Sequence, residues 1–231
     1  MGHLGKRKPN ERRIRRLASK STRGALIHAA ISLFYQKGYL DTSIREIGAK
    51  AGISNSIIYH YFKNKEELLF EIVDHATKEL IEALVTVDRE VSDPVECLRK
   101  MLVEHSAIFS LKRRKETKIV DSDTFFLHGK WREATVNQQR QIYQLFKKKL
   151  HEIGGQGILK EVDATVAAFS ILGIINSSFR WFKESGPLSR DEVARNITKL
   201  VFEGILKLDA FAGSPNLGKG QGNKNGSGAK R

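Results

Sequence analysis

The 231-residue chain is 40% apolar and 29% charged with a net charge of +14, a balance that suits a folded, water-soluble protein and excludes a disordered one. No stretch approaches the ~18 apolar residues of a membrane span, and its single cysteine, Cys97, allows no internal disulfide and fits a reducing compartment. The charge is concentrated at the ends: residues 1–23 carry a net +8 and residues 213–231 a net +4, which leaves +2 for everything between.

The first 20 residues read as a basic flexible arm beside a folded domain, a pattern that points to polyanion contact or to a solubilising tail. Their basic N-terminus lacks the apolar core of a signal peptide, so the expected location is cytoplasmic. Next, Leu26, Ala30, Leu33 and Phe34 recur at helical spacing. Gly38 supplies a C-terminal stop. Two short helical patterns follow over residues 42–61, and Asn64-x-x-Glu67 caps a long helix after them. Asp93-Pro94 reads as a cap followed by proline at the first helical position. Residues 162–182 are apolar on most sides, so that helix is expected to be buried on more than one face. Ser189-x-x-Glu192 is a further capping box, and the stripe after it runs Val193, Ile197, Leu200, Val201, Gly204, Ile205, Leu208. A stripe so regular is expected to pair with its copy across a two-fold axis, Gly204 permitting close approach. Residues 212–231, rich in glycine and lysine, read as a flexible tail. The fold class is therefore all-α, with about nine helices.

The stretch Thr42–Leu68, TSIREIGAKAGISNSIIYHYFKNKEEL, carries the most specific signal. Ser43-x-x-Glu46 caps its first helix, whose apolar face is Ile44, Ile47 and Ala51. Gly52 supplies the turn, because glycine alone takes positive φ without steric cost. Ser54 stands at the cap of a second helix, in which Ile58, Tyr61 and Phe62 share one side. The other side keeps Ser56 and His60, flanked by Ile57 and Tyr59, with Asn55 at the tip. Two short helices about a glycine turn match the helix-turn-helix, whose second helix enters the DNA major groove N-terminus first. Asn55 and Ser56 can hydrogen-bond base edges, and Ile57 can touch a thymine methyl group. Tyr59, His60 and Lys65 can reach phosphates. Thr42, Ser43 and Ser54, at the starts of the two helices, complete the expected DNA-facing set.

These residues resemble the DNA-binding signature of the TetR family of transcriptional regulators. The likeness runs from about Ala25 to Leu69. It includes Phe34 and Gly38, Ala51-Gly52-Ile53-Ser54, Tyr59-His60-Tyr61-Phe62, and Lys65 with Leu68. Ser56 departs from it, since many members have glycine there. The resemblance implies a three-helix DNA-binding domain over residues 21–66 and a larger helical ligand-binding and dimerisation domain over residues 67–211. It also implies a homodimer made by the last two helices. The partners expected are a double-stranded DNA operator, a second copy of the chain and a small-molecule effector, with no membrane.

For the effector, the sequence offers aromatic residues at Phe125, Phe126, Trp131, Phe169 and Phe179, with Asn176, Arg180 and Lys183 as polar candidates. An arginine within an apolar helix needs a partner, either an acid of the chain or an anionic ligand. The segment FRWFKESGPLSRDEV also resembles the region between the last two helices in family members that answer to acyl-CoA thioesters. A flat cavity for an aromatic, drug-like ligand is the competing expectation. No HExxH or HxxxH spacing suggests a metal, and no nucleophile elbow or phosphate-binding loop suggests catalysis. No cofactor and no enzymatic activity are therefore expected. An architectural DNA-binding protein stays open as an alternative to the ligand-responsive regulator.

Overall fold

The computed structural model describes residues 9–159 and 161–205, with side chains from residue 21 onward except those of Ile108 and Ile205. Over these residues the elements are helical. They are α1 (Pro9–Lys37), α2 (Ile44–Ala51), α3 (Asn55–Tyr61), α4 (Lys65–Glu90) and α5 (Pro94–Val103), then a π-helix (Glu104–Lys112). After it come α6 (Arg114–Asp123), a 3₁₀ turn (Thr124–Phe126), α7 (Gly129–Gly155), α8 (Ala164–Trp181) and α9 (Arg190–Ile205).

Local chemistry sets these boundaries. Gly38 takes φ 86° and its N–H bonds back to the Phe34 carbonyl, which closes α1. Ser43 and Glu46 form the reciprocal capping box at the start of α2, and Gly52 ends that helix at φ 67°. Asn64 accepts the Glu67 N–H at 2.8 Å to start α4. Asp93 does the same for Glu96 at 2.7 Å, with Pro94 next to it. Asp163 accepts the N–H groups of Thr165 and Val166 to open α8. The side-chain caps satisfy donors that a helix N-terminus otherwise leaves unpaired, and the glycine N–H groups satisfy carbonyls at the C-termini.

Two apolar cores result. One joins α1, α2 and α3 to the first turns of α4 through Leu26, Phe34, Ile47, Ile58, Phe62, Leu68 and Ile72. Ile119 of α6 and Leu127 plug into it from the other half of the chain. The second core is built by the rest of α4 with α5, α7, α8 and α9, through Leu84, Met101, Phe146, Leu150, Ile171 and Ile197. The division expected between residues 66 and 67 thus cuts a helix whose first turns belong to the N-terminal core. Residues 9–20, expected as a flexible arm, continue α1 as helix. Residues 1–8, Leu208 and the 212–231 tail lie outside the described residues.

Three members of the expected dimer stripe are not available to a partner. Val193, Ile197 and Val201 are buried inside the subunit, where they meet the larger core. The outward face of α9 is a different one: Leu200 is 65% exposed, and a Cβ on Gly204 would meet nothing within 4 Å. Of Ile205 only the backbone is described. The neighbouring face of α8 also turns Val166, Ile174 and Trp181 outward. The apolar stripe expected from periodicity is present, but of its five members whose exposure is described, three face inward.

Candidate DNA interface and ligand cavity

The reading head is set by one close contact. A Cβ on Gly48, in the middle of α2, would lie 2.5 Å from the Ile58 Cδ1 and 2.8 Å from the Ile53 carbonyl oxygen. Only a residue without a side chain lets α3 settle this deeply on α2. Ile58 and Phe62 are consequently buried, while Ile57 and Tyr59 stay largely exposed. Asn55, Ser56 and His60 are exposed beside them. The Ser54 hydroxyl makes no cap contact and instead meets the Ser56 hydroxyl at 3.1 Å. Ser43 is exposed but engaged with Glu46. Hydrogen bonds from Lys37 and then from Ser43 hold the Glu46 carboxyl down at about 2, so the box stays charged at any ordinary pH.

Two residues of the expected DNA-facing set serve the fold instead. Thr42 is buried, its hydroxyl donating to the Gly38 carbonyl at 2.8 Å. Lys65 directs its ammonium at the carbonyls of Tyr39, Thr42 and Leu40, at 2.8, 2.8 and 3.3 Å. It also lies 4.2 Å above the centre of the Tyr39 ring. An ammonium has three N–H donors, and all three are committed here, so Lys65 ties the 39–42 turn to α4 rather than reaching a phosphate. Burial draws its pKa below the usual lysine range. A cation that the sequence reading passed over, Arg45 of α2, is exposed and lines one groove with Tyr59. Gly48 was also missed, although a glycine at mid-helix is costly enough to signal a close approach.

A cavity of about 320 Å³ lies behind the head, walled by α4, the π-helix, α6, α7 and α8. Leu80, Phe109, Ile142, Phe169 and Leu172 make its apolar lining, and Tyr143 stacks on Phe169 with ring centres 4.6 Å apart. His105 and Asn176 supply polar groups to the wall. His105 is fully buried and bonded to Asn176, and burial draws its pKa down to about 4, so the ring is neutral. Among the described residues its Nδ1 has no hydrogen-bond partner, and neither has the adjoining Ser106 hydroxyl. The π-helix that carries both residues is a rare geometry, frequently found at functional sites. Its far end is pinned by Ser110, whose hydroxyl lies 2.8 Å from the Ile175 carbonyl and 2.7 Å from the Ser178 hydroxyl.

Of the ligand residues expected from sequence, the structure places only Phe169 and Asn176 on this cavity. Phe126 stacks on Tyr39 and Trp131 on Phe70, both against the N-terminal core. Phe125 covers Phe126 from the solvent side. Phe179 is buried but does not line the cavity, and Lys183 is exposed outside it. Arg180 points outward and pairs with Asp121 of α6, so its partner is an acid of its own chain. The residues that do line the cavity come from five elements far apart in the chain, which no local pattern could have revealed.

No group of His, Cys, Asp and Glu able to hold a metal occurs among the described residues, and no described helix is long and apolar enough to cross a membrane.

Residues 26–72 match the family described as bacterial regulatory proteins, tetR family, and residues 91–205 match the tetracyclin repressor-like C-terminal domain. The transcriptional repressor KstR2 of Mycobacterium tuberculosis is 25% identical over 198 residues, 81% of this chain and 94% of its own. The structure of AibR in complex with isovaleryl coenzyme A and operator DNA is 28% identical, with a TM-score of 0.72, over 78% of this chain and 98% of that one. PfmR of Thermus thermophilus, a TetR family transcriptional regulator, is 30% identical with a TM-score of 0.71, over 77% and 97% of the two chains. The glycine-turned reading head and the helical body behind it thus match together, in one order and over nearly the whole of known regulators, and the chain belongs to the TetR family.

Proposed function

We propose that the protein is a ligand-responsive transcriptional repressor: a homodimer that holds a palindromic operator and leaves it when a small molecule fills the cavity. The observation that carries this is the course of α4. Its first turns, Leu68 to Val73, belong to the core of the reading head, and Ala76, Thr77 and Leu80 on the same helix line the cavity. A ligand that prefers one position of α4 therefore also prefers one position of α3. Couplings of this kind are typically about 1–3 kcal/mol, a change of roughly 5–150-fold in operator affinity.

Asn55, Ser56 and Ile57 read bases in this account, and Tyr59, His60 and Arg45 hold phosphates. The subunits meet through the outward faces of α8 and α9, which carry Ile174, Trp181 and Leu200. The protein works in the cytoplasm beside its DNA and does no chemistry of its own. An acyl-CoA thioester is the first effector class to test, given the AibR complex with isovaleryl coenzyme A. The stacked Tyr143 and Phe169 rings favour a flat aromatic ligand as the second.

The test is footprinting on the promoter of the protein's own gene, with and without isovaleryl-CoA, longer acyl-CoA thioesters and flat aromatic acids. A short symmetric protected site that one compound class erases is the expected result. Broad protection without symmetry would make the protein architectural. Protection that every compound leaves intact would remove the ligand response.

A further inference from the structure

We propose that Arg113 is the anion-binding group of the cavity, and that Glu79 of α4 occupies its guanidinium while the cavity is empty, so that a ligand anion enters by exchanging with Glu79. The inference rests on the cavity being the effector site. Arg113 lies where the π-helix passes into α6, and it lines the cavity. Both of its terminal nitrogens engage the Glu79 carboxylate, Nη2 at 3.1 Å from Oε1. The two-pronged fit is the one a guanidinium offers to any carboxylate or phosphate. Both side chains are about one-third exposed, 35% and 33%, so the pair is reachable from the cavity and from solvent. Glu79 also has somewhere to go. The ring of His75, one turn back on α4, lies 3.6 Å from Oε2, the oxygen that Arg113 Nη1 also engages.

The surroundings select the sign of the ligand charge. Residues 112–118 read KRRKETK, with five cations against Glu116 alone. Lys112 and Lys115 of this run are exposed. Such a stretch beside a cavity mouth raises the local concentration of anions. Two carboxylates also line the cavity: Asp121, already paired with Arg180, and Glu116, which has no ion-pair partner among the described residues and is the group that would favour a cation instead. The apolar lining and the limited volume restrict the buried part to a short acyl chain or a small ring. The anion can be the carboxylate of a free acid or the phosphates of a coenzyme A thioester.

The exchange has a consequence for DNA. The Arg113–Glu79 pair joins α6 to α4, and α6 is held elsewhere by Lys118 on the Tyr35 carbonyl and by Arg114 on the Phe179 carbonyl. A ligand anion on Arg113 breaks the one of these ties that reaches α4.

The experiment is titration calorimetry on the full chain with octanoate, octanoyl-CoA, uncharged octanamide and octylammonium, for wild type, Glu79→Gln, Arg113→Gln and Arg113→Lys. At least one anion should bind wild type more tightly than octanamide. Glu79→Gln should tighten that anion about fivefold by removing its competitor and leave octanamide unchanged. Arg113→Gln should weaken the anion roughly 10–100-fold, with Arg113→Lys between. Octanoate binding on its own merits assigns the carboxylate as source, and binding by octanoyl-CoA alone assigns the phosphates. A purely structural ion pair would move both substitutions in the same direction, which overturns the exchange. Equal affinity for octanamide and the anions, or a preference for octylammonium, overturns it as well. Ligands that bind all four proteins alike keep the cavity as effector site and discard the exchange. No binding by any probe to wild type or Glu79→Gln overturns both, while the operator footprint remains. If Arg113→Gln does not fold, Glu79→Gln and Arg113→Lys still decide the sign.

Discussion

The reading head and the cavity are assembled with opposite tolerances. In the head, α3 lies so close to α2 that a single added carbon at Gly48 would collide with the Ile58 side chain and with the Ile53 carbonyl of the turn, and the exposed tips of Asn55, Ser56 and Ile57 inherit that rigidity. Around the cavity, the buried Nδ1 of His105 in the wall and the Ser106 hydroxyl next to it have no partner among the described residues, a stretch of π-helix interrupts regular packing, and Arg113 of the lining is engaged by a partly exposed ion pair with Glu79. Unsatisfied buried groups cost stability, so a wall that retains them is poised for something that would satisfy them. A surface that must fit one DNA shape is built stiff, and a chamber that must answer to an occupant is left incomplete.

The largest expected effect tests the stiff side. Gly48→Val should force α3 off α2, cost about 3 kcal/mol or more by overpacking and abolish operator binding. The mobility shift should be lost while far-ultraviolet circular dichroism remains helical, because the larger core does not include this residue. Operator affinity unchanged by Gly48→Val would show the head to be soft and would end the contrast.

His105 tests the incomplete side. Its ring titrates near 6.5 when unfolded and near 4 when buried. Protons therefore favour the unfolded chain, and the stabilisation present above about pH 6.5 is lost as the pH falls towards 4. The full span is of the order of 3 kcal/mol. Chemical denaturation at pH 7.5 and pH 5 should show wild type losing stability more steeply than His105→Gln. Parallel profiles would mean that the ring is not buried neutral in solution.

Asn55→Ala sharpens the division of labour within the head. It should cost about 1–3 kcal/mol on the operator and little on random DNA, as read by competition binding. Equal losses on both would make Asn55 a positioning contact.

The smallest effect separates two cations. Arg45→Gln should lower the salt slope of log K by about 0.9 per subunit without changing thermal stability. Lys65→Gln should instead lower the melting temperature and leave the slope alone, because its ammonium is spent on carbonyls. The reverse pattern would put Lys65 back on the DNA.

How much of this was legible in the sequence follows the same line. The head is local: Ser43 and Glu46, Gly52, and the split between Ile58 inside and Ile57 outside all act within a few residues of one another, so their spacing spelled out the motif. Thr42 and Lys65 were misplaced because what occupies them, carbonyls of the 38–42 turn, is invisible until the chain folds back on itself. The cavity is non-local, bringing Leu80, His105, Ile142 and Phe169 together from four helices. Counting aromatic residues could not find it, and Phe126 and Trp131 turned out to face the head. The 193–208 stripe shows a third kind of limit. Periodicity established that one face of α9 is apolar, but it could not say whether that face meets its own subunit or another.

α4 runs without a break for 26 residues, about 39 Å at 1.5 Å per residue. Pivoted where it lines the cavity at Leu80, with about 22 Å of helix between there and its first residue, such a rod converts a tilt of about 5° into a shift of roughly 2 Å at its tip, by the same rise per residue. Hydrogen bonds to base edges fail within about 1 Å of excess length. In a two-fold arrangement both tips move, so an angular change too small to disturb the packing around Leu84 is enough to put the two reading helices out of step with the pitch of B-form DNA.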